Sequence, residues 1–154
     1  MFSCLKISAF FVFFVSMAAG GVPPQSELAP GSAQLMAPEA LVKLLQSSGG
    51  EKPLILNVGP RLLYQQAHIP GSEYVGAGSD AKGLQQLRDR VQSLPHDNFI
   101  VLYCGCCPWE HCPNVRPAYT ELHEKGFTKV RVLYIANNFG TDWLDKGYPV
   151  VKGL

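Results

Sequence analysis

The sequence predicts an α/β fold built on a mostly parallel sheet. Three observations carry this. Short, nearly continuous apolar runs recur at 53–58 (PLILNV), 98–103 (NFIVLY) and 129–134 (KVRVLY). Such runs suit strands covered on both faces, the normal state of a parallel sheet. Segments with helical spacing separate them, and Gly, Pro and Ser punctuate the joints, which is the alternation expected of βα units.

The elements follow in chain order. Lys6, the apolar stretch from Ile7 to Met17 and the small residues Ala18 to Gly21 have the layout of a secretory signal peptide over residues 1–20. The apolar stretch is short for a bilayer span, and Cys4 stands before it, where no lipid attachment is expected. Residues 21–37, rich in Pro, Gly and Ser, read as a linker, and residues 38–153 as the domain. Pro38 suits a first helical position and Glu39 the first turn of that helix; Ser48-Gly49-Gly50 ends it. The first clear strand follows, then a short helix over 61–67 and a turn at His68-Ile69-Pro70-Gly71-Ser72. Asp80 is placed to cap a helix running to about Leu94, with Leu84, Leu87, Val91 and Leu94 on one face. The second strand ends at Cys104. A helix is expected over 116–125 with Gly126 as its stop, then the third strand. The segment 137–148 is polar and irregular, with one helical turn expected near Asp142–Lys146.

Composition narrows the function. With 47% hydrophobic and 16% charged residues, the chain has the makings of a normal core rather than of a disordered segment. A net charge of +1, falling to about zero without Lys6, gives no basic stripe for nucleic acid or an anionic membrane. Gly76-Ala77-Gly78 lacks a third spaced glycine, so no dinucleotide site follows. No cofactor is called for.

Beyond Cys4, all the cysteines fall in one nine-residue stretch: Cys104, Cys106, Cys107 and Cys112. A cluster that tight cannot staple distant parts of a fold, so it points to local chemistry. Cys104 stands at the carboxyl end of a buried strand, where sites form in α/β sheets. A Gly105-containing loop and the start of a helix follow it, an arrangement that gathers backbone N–H groups and lowers a thiol pKa. On this reading the Cys104 pKa lies below the free value, while Cys112, followed by Pro113, gains less. Three readings compete for the other cysteines. They are a disulfide from Cys112 to Cys106 or Cys107, a zinc or copper(I) site using several thiolates and His111, and a Cys104/Cys107 dithiol that cycles with its disulfide. Arg116 either neutralises an anionic substrate or caps the loop. His68, Trp109 and Trp143 read as structural, and His111 as an exposed loop residue.

From about Pro38 to Gly153 the chain resembles a rhodanese homology domain. The resemblance rests on Leu54–Val58 followed by the His68-Ile69-Pro70-Gly71 turn, on Ile100–Tyr103 delivering Cys104, on the helix from Arg116 that closes Gly126-Phe127, and on Val130–Leu133. It departs from the family pattern in three places. Asn57-Val58-Gly59 stands where the family has Asp-Val-Arg, the loop from Cys104 to Arg116 is extended, and Ala136-Asn137-Asn138-Phe139-Gly140 replaces a Gly-Gly. The resemblance implies a monomeric sulfurtransferase. Cys104 would carry sulfane sulfur as a persulfide, Gly105 and Arg116 would bind a small sulfane-sulfur donor, and a thiol or cyanide would accept the sulfur. With the leader, it implies a periplasmic or secreted protein. The rivals are a thiol–disulfide oxidoreductase and a metal-binding or sulfur-carrier module.

Overall fold

The computed structural model describes residues 30–31 and 34–153. The leader, most of the linker and the final residue lie outside them. Five strands form one parallel sheet in the order β1-β5-β4-β2-β3: β1 (Leu35–Met36), β2 (Leu54–Asn57), β3 (Glu73–Tyr74), β4 (Ile100–Tyr103) and β5 (Val130–Leu133). Four α-helices connect them: α1 (Pro38–Gln46), α2 (Arg61–Gln66), α3 (Ala81–Val91) and α4 (Val115–Glu124). Every named pairing is parallel. No helix among the described residues is long and apolar enough to cross a membrane.

One expectation needs correction. Leu35 and Met36, read as linker, form the edge strand β1, with Leu35 beside Val132 and Met36 beside Leu133. Two residues are too few to show an alternating pattern, so pairing with an existing strand decides their state. The irregular segment near 142–146 also tightens earlier, into a π-turn at Gly140–Leu144 that buries Trp143 completely.

The period-2 geometry of a strand sorts the core into two layers. Leu54, Leu56 and Val58, then Ile100, Leu102 and Cys104, then Val130 and Val132 face α3 and α4. Ile55, Val101, Tyr103 and Leu133 face the other side, with Leu41 of α1, Ile69 and Trp143. Cys104 therefore continues the parity of β4 onto the α3/α4 side. β4 is central, paired with β2 through Leu56–Leu102 and with β5 through Leu102–Val132, so the backbone leading to Cys104 is held on both edges.

The turns read from sequence have structural work. Asp80 Oδ1 accepts from Gly83 N at 2.6 Å and caps α3. Gly126 adopts φ 84° and ends α4. Tyr103 Oη, within 3.3 Å of Ile69 N and 3.0 Å of Ser72 Oγ, ties the His-Ile-Pro-Gly turn to β4. The His68 ring stacks on Tyr64 and bonds its carbonyl through Nδ1 at 2.8 Å, a structural role as expected. Gly76, Gly78 and Gly83 are packing glycines: a Cβ on Gly83 would lie 1.9 Å from Ala77 O, and one on Gly78 2.1 Å from Asn114 O.

Candidate active site

Cys104 leaves β4 at its carboxyl end with its side chain buried. The chain turns at once at Gly105, whose φ of 80° suits glycine and whose missing Cβ makes room for Phe139, 2.7 Å from where that carbon would stand. Gly105 O accepts from Phe139 N at 2.9 Å, and Trp109 N donates to Ile135 O at 3.0 Å. These two bonds tie the extended loop to the segment after β5, so its length does not leave it loose. A short 3₁₀ turn over Trp109–His111 then brings Cys112 back under the strand end.

The four thiols gather as the cluster reading required. Cys104 Sγ lies 3.2 Å from Cys106 Sγ, and Cys106 Sγ 2.9 Å from Cys107 Sγ. The sulfurs of Cys104, Cys106 and Cys112 all lie within 4.8 Å of one another. All four are free thiols. The expected disulfide from Cys112 to Cys106 or Cys107 is therefore not formed here. The loop folds Cys112 inward beneath Cys104, in contact with the α3/α4 core, while Cys106 and Cys107 remain half exposed at the surface.

Two cavities meet at Cys104. An open one of about 340 Å³ is lined by Cys104, Cys106, Asn57, Tyr64, Tyr103 and Phe139, among others. A much smaller space of about 10 Å³ lies against Cys104, Cys107, Trp109 and Cys112, room for one water at most. Cys106 borders only the first of these and Cys112 only the second. A larger cavity of about 430 Å³ lies away from the cysteines, beside Tyr119, His123 and Arg131; chemistry, not size, selects the site at Cys104.

The electrostatics correct one expectation. The positive end of α4 was expected to act on Cys104. Instead, the Cys112 thiol is pulled down to about 5 by the Cys104 thiol beside it and by the N–H groups of Asn114 and Val115, at the start of α4. Pro113 removes only one donor, and the two residues after it supply theirs. Cys104 is pushed well above the ordinary thiol range, first by sharing its proton with Cys112 and then by burial, against one stabilising N–H from Cys106. Cys107 is pushed up to about 12 by burial and by the neighbouring thiols. The pair thus shares one proton, with the negative charge favoured at Cys112.

The structure adds residues that the sequence reading passed over. Asn114, 3% exposed, donates from Nδ2 toward Cys104 Sγ at 3.4 Å and Cys106 Sγ at 3.7 Å, while its Oδ1 accepts from Ser79 N at 3.1 Å. It stands immediately before α4 yet makes no cap bond to its own helix. A capping residue type at a helix start, two residues after a cysteine, was the available signal. Gly59 is the second addition. A Cβ there would lie 2.9 Å from Cys104 Sγ and 3.0 Å from Cys104 O, and its N–H donates to Asn57 Oδ1 at 3.0 Å. Cys104 packs directly against the bare Cα of Gly59, where a side chain would have no room.

The remaining candidates divide. Gly105 borders the open cavity. Arg116 is exposed on the first turn of α4 and lines neither cavity at Cys104. Trp109 packs on the core and Trp143 stacks on Phe139, both as structural residues. His111 is exposed.

Comparison with known proteins agrees with this fold. The family model described as rhodanese-like domain matches residues 38–134. No curated protein matches the chain. Among solved structures, the Alr3790 protein from Anabaena sp. superposes with TM-score 0.59 at 22% identity, over 77% of this chain and 93% of that one. The BH2092 protein from Bacillus halodurans gives 0.58 at 20% identity, over 76% and 75%. The Saccharomyces cerevisiae single domain sulfurtransferase RDL2 gives 0.51 at 15% identity, over 74% and 90%.

Proposed function

Because the chain belongs to the rhodanese-like domain family, we propose that it is a sulfurtransferase that carries sulfane sulfur as a persulfide on Cys104. The observation that carries this reading is the position of Cys104. It is a buried cysteine on a rigid strand end that opens onto a cavity of about 340 Å³. Cys112 is the member of the pair that favours the negative charge, but it borders only the small space of about 10 Å³.

The reaction draws on the one negative charge of the pair. As Cys104 attacks a donor in the open cavity, its proton passes to Cys112 in the same step, so no free Cys104 thiolate has to form against its raised pKa. A bond forms from Cys104 Sγ to the donor's outer sulfur. The bond between that sulfur and its carrier breaks, and the electron pair leaves with the carrier. The Cys106 N–H and the Asn114 amide stabilise the charge at Sγ. An acceptor thiolate or cyanide then attacks the outer sulfur, and the electrons of the S–S bond return to Cys104. No step needs a metal or a cofactor.

The test is sulfur uptake from a sulfane donor under mild reduction, followed by intact mass. Cys104→Ser abolishes uptake, because a serine hydroxyl is neither ionised nor sulfur-philic here. Cys112→Ser slows it, because the proton acceptor is gone, yet leaves it measurable. Wild-type uptake in Cys104→Ser would move the chemistry to another cysteine. The leader layout supports a second proposal, that the protein acts in the periplasm or outside the cell. N-terminal sequencing of the native protein is expected to begin near Ala19 or Gly21, and Met1 on cytoplasmic protein would refute it.

A further inference from the structure

Cys104 has a thiol neighbour on each side, and the two neighbours are not equivalent. Cys106 lines the open cavity with Cys104, while Cys112 lines only the small space of about 10 Å³. The three sulfurs stay within 4.8 Å of one another. Resting on the reading that Cys104 carries a persulfide, we infer that Cys112 is a resolving cysteine, which attacks Cys104 Sγ and expels the carried sulfur as hydrosulfide.

Thiol–disulfide displacement is most favourable when the attacking, central and leaving sulfurs lie in line. The outer sulfur of a Cys104 persulfide has room only in the open cavity, since the small space of about 10 Å³ cannot take it. Cys112 does not line the open cavity, so it reaches Cys104 Sγ without passing the outer sulfur. Cys106 lies beside the outer sulfur instead, and from there would receive that sulfur rather than displace it. Ionisation favours Cys112 as well. The Cys104 thiol no longer donates to it once sulfur is bound, but the N–H groups of Asn114 and Val115 still favour its thiolate, and it needs no partner from outside. Closing to bonding distance brings Cys112, on the loop, against Cys104 at the strand end.

The step balances within the protein. A bond forms between Cys112 Sγ and Cys104 Sγ. The bond between Cys104 Sγ and the outer sulfur breaks, and its electron pair leaves with that sulfur as hydrosulfide. The sulfane sulfur is reduced to sulfide, and the two cysteines are oxidised together to a disulfide. Turnover then requires a thiol reductant, low-molecular-weight or protein-borne, to return the pair to its dithiol state. The site would thus release sulfide from sulfane sulfur at the expense of thiols, in addition to handing sulfur to an acceptor.

The experiment uses the reduced full chain and its Cys112→Ser and Cys112→Ala variants. Each is treated with inorganic polysulfide, freed of excess reagent, and followed by intact mass, non-reducing peptide mapping and sulfide release. The wild type is expected to lose two hydrogens, to join Cys104 to Cys112 in one cross-linked peptide, and to release one equivalent of sulfide after the reagent is removed. Both variants are expected to hold one added sulfur on Cys104 without further release. A wild type that stably keeps the added sulfur on Cys104 overturns the resolving role and leaves the sulfur-carrying role standing. A cross-link from Cys104 to Cys106 also overturns it. No sulfur on Cys104 in the wild type or in either variant overturns both. The wild-type peptide map decides the matter even if a variant fails to fold.

Discussion

At the scale of single residues, the site depends on two small decisions next to Cys104. Gly59 leaves the space that the sulfur occupies, and Asn114 turns its amide toward the sulfur instead of capping α4. Gly59→Ala therefore tests the site without adding charge. Its Cβ would press on Cys104 Sγ and on the carbonyl that follows. A neighbour on a central strand cannot move away freely, and overpacking of this kind costs roughly 1–3 kcal/mol. The expected result is a lowered denaturation midpoint and at least a tenfold slower sulfur uptake, measured on the same preparation. Uptake at the wild-type rate would show that the sulfur does not need its present position. Neither residue type announces itself in the sequence. A glycine beside a strand and an asparagine before a helix have ordinary explanations in turns and caps, and only the tertiary meeting of β2, β4 and α4 gives them this task.

At the scale of elements, legibility followed hydrophobic pattern. The three apolar runs became β2, β4 and β5, and the 3.6-residue spacing around Leu87 and Val91 became α3, capped by Asp80. The edge strands β1 and β3, each two residues long, carry no pattern and were decided by pairing. The aim of α4 was misjudged for a related reason. Sequence places a helix start near a cysteine but does not say which of several cysteines the loop will fold back beneath it. That aim has a measurable pH signature. Between pH about 5 and the ordinary thiol value of about 8.5, the folded protein carries a thiolate at Cys112 that the unfolded chain lacks. The unfolded state then binds more protons, so stability rises with pH across this window. Above it, the unfolded chain ionises at Cys104 and Cys107 while the fold keeps both protonated, and stability turns down. Urea midpoints followed across this range should pass through a maximum near the ordinary thiol value. In Cys112→Ser the rising limb should flatten, and an unchanged limb would assign the charge to another group.

At the scale of the whole molecule, the sheet separates two apolar layers, and Cys104 projects from its central strand into the α3/α4 layer. The strand before it is hydrogen-bonded on both sides, whereas Cys106, Cys107 and Cys112 sit on a loop tied mainly through Phe139 and Trp109. Amide hydrogen exchange should therefore divide between them. The amides of Val101 to Tyr103 should exchange only with global opening, and those of 106–112 through local opening. If joining Cys104 to Cys112 changes the second set and leaves the first untouched, the chemistry is confined to the loop; equal slowing of both sets would refute that division. One cysteine then keeps the time of the entire fold and its neighbours keep the time of a few loop bonds. A change in oxidation state at such a junction would be recorded in how fast one loop breathes, while the protein's thermal history and lifetime stay governed by the strand beneath it.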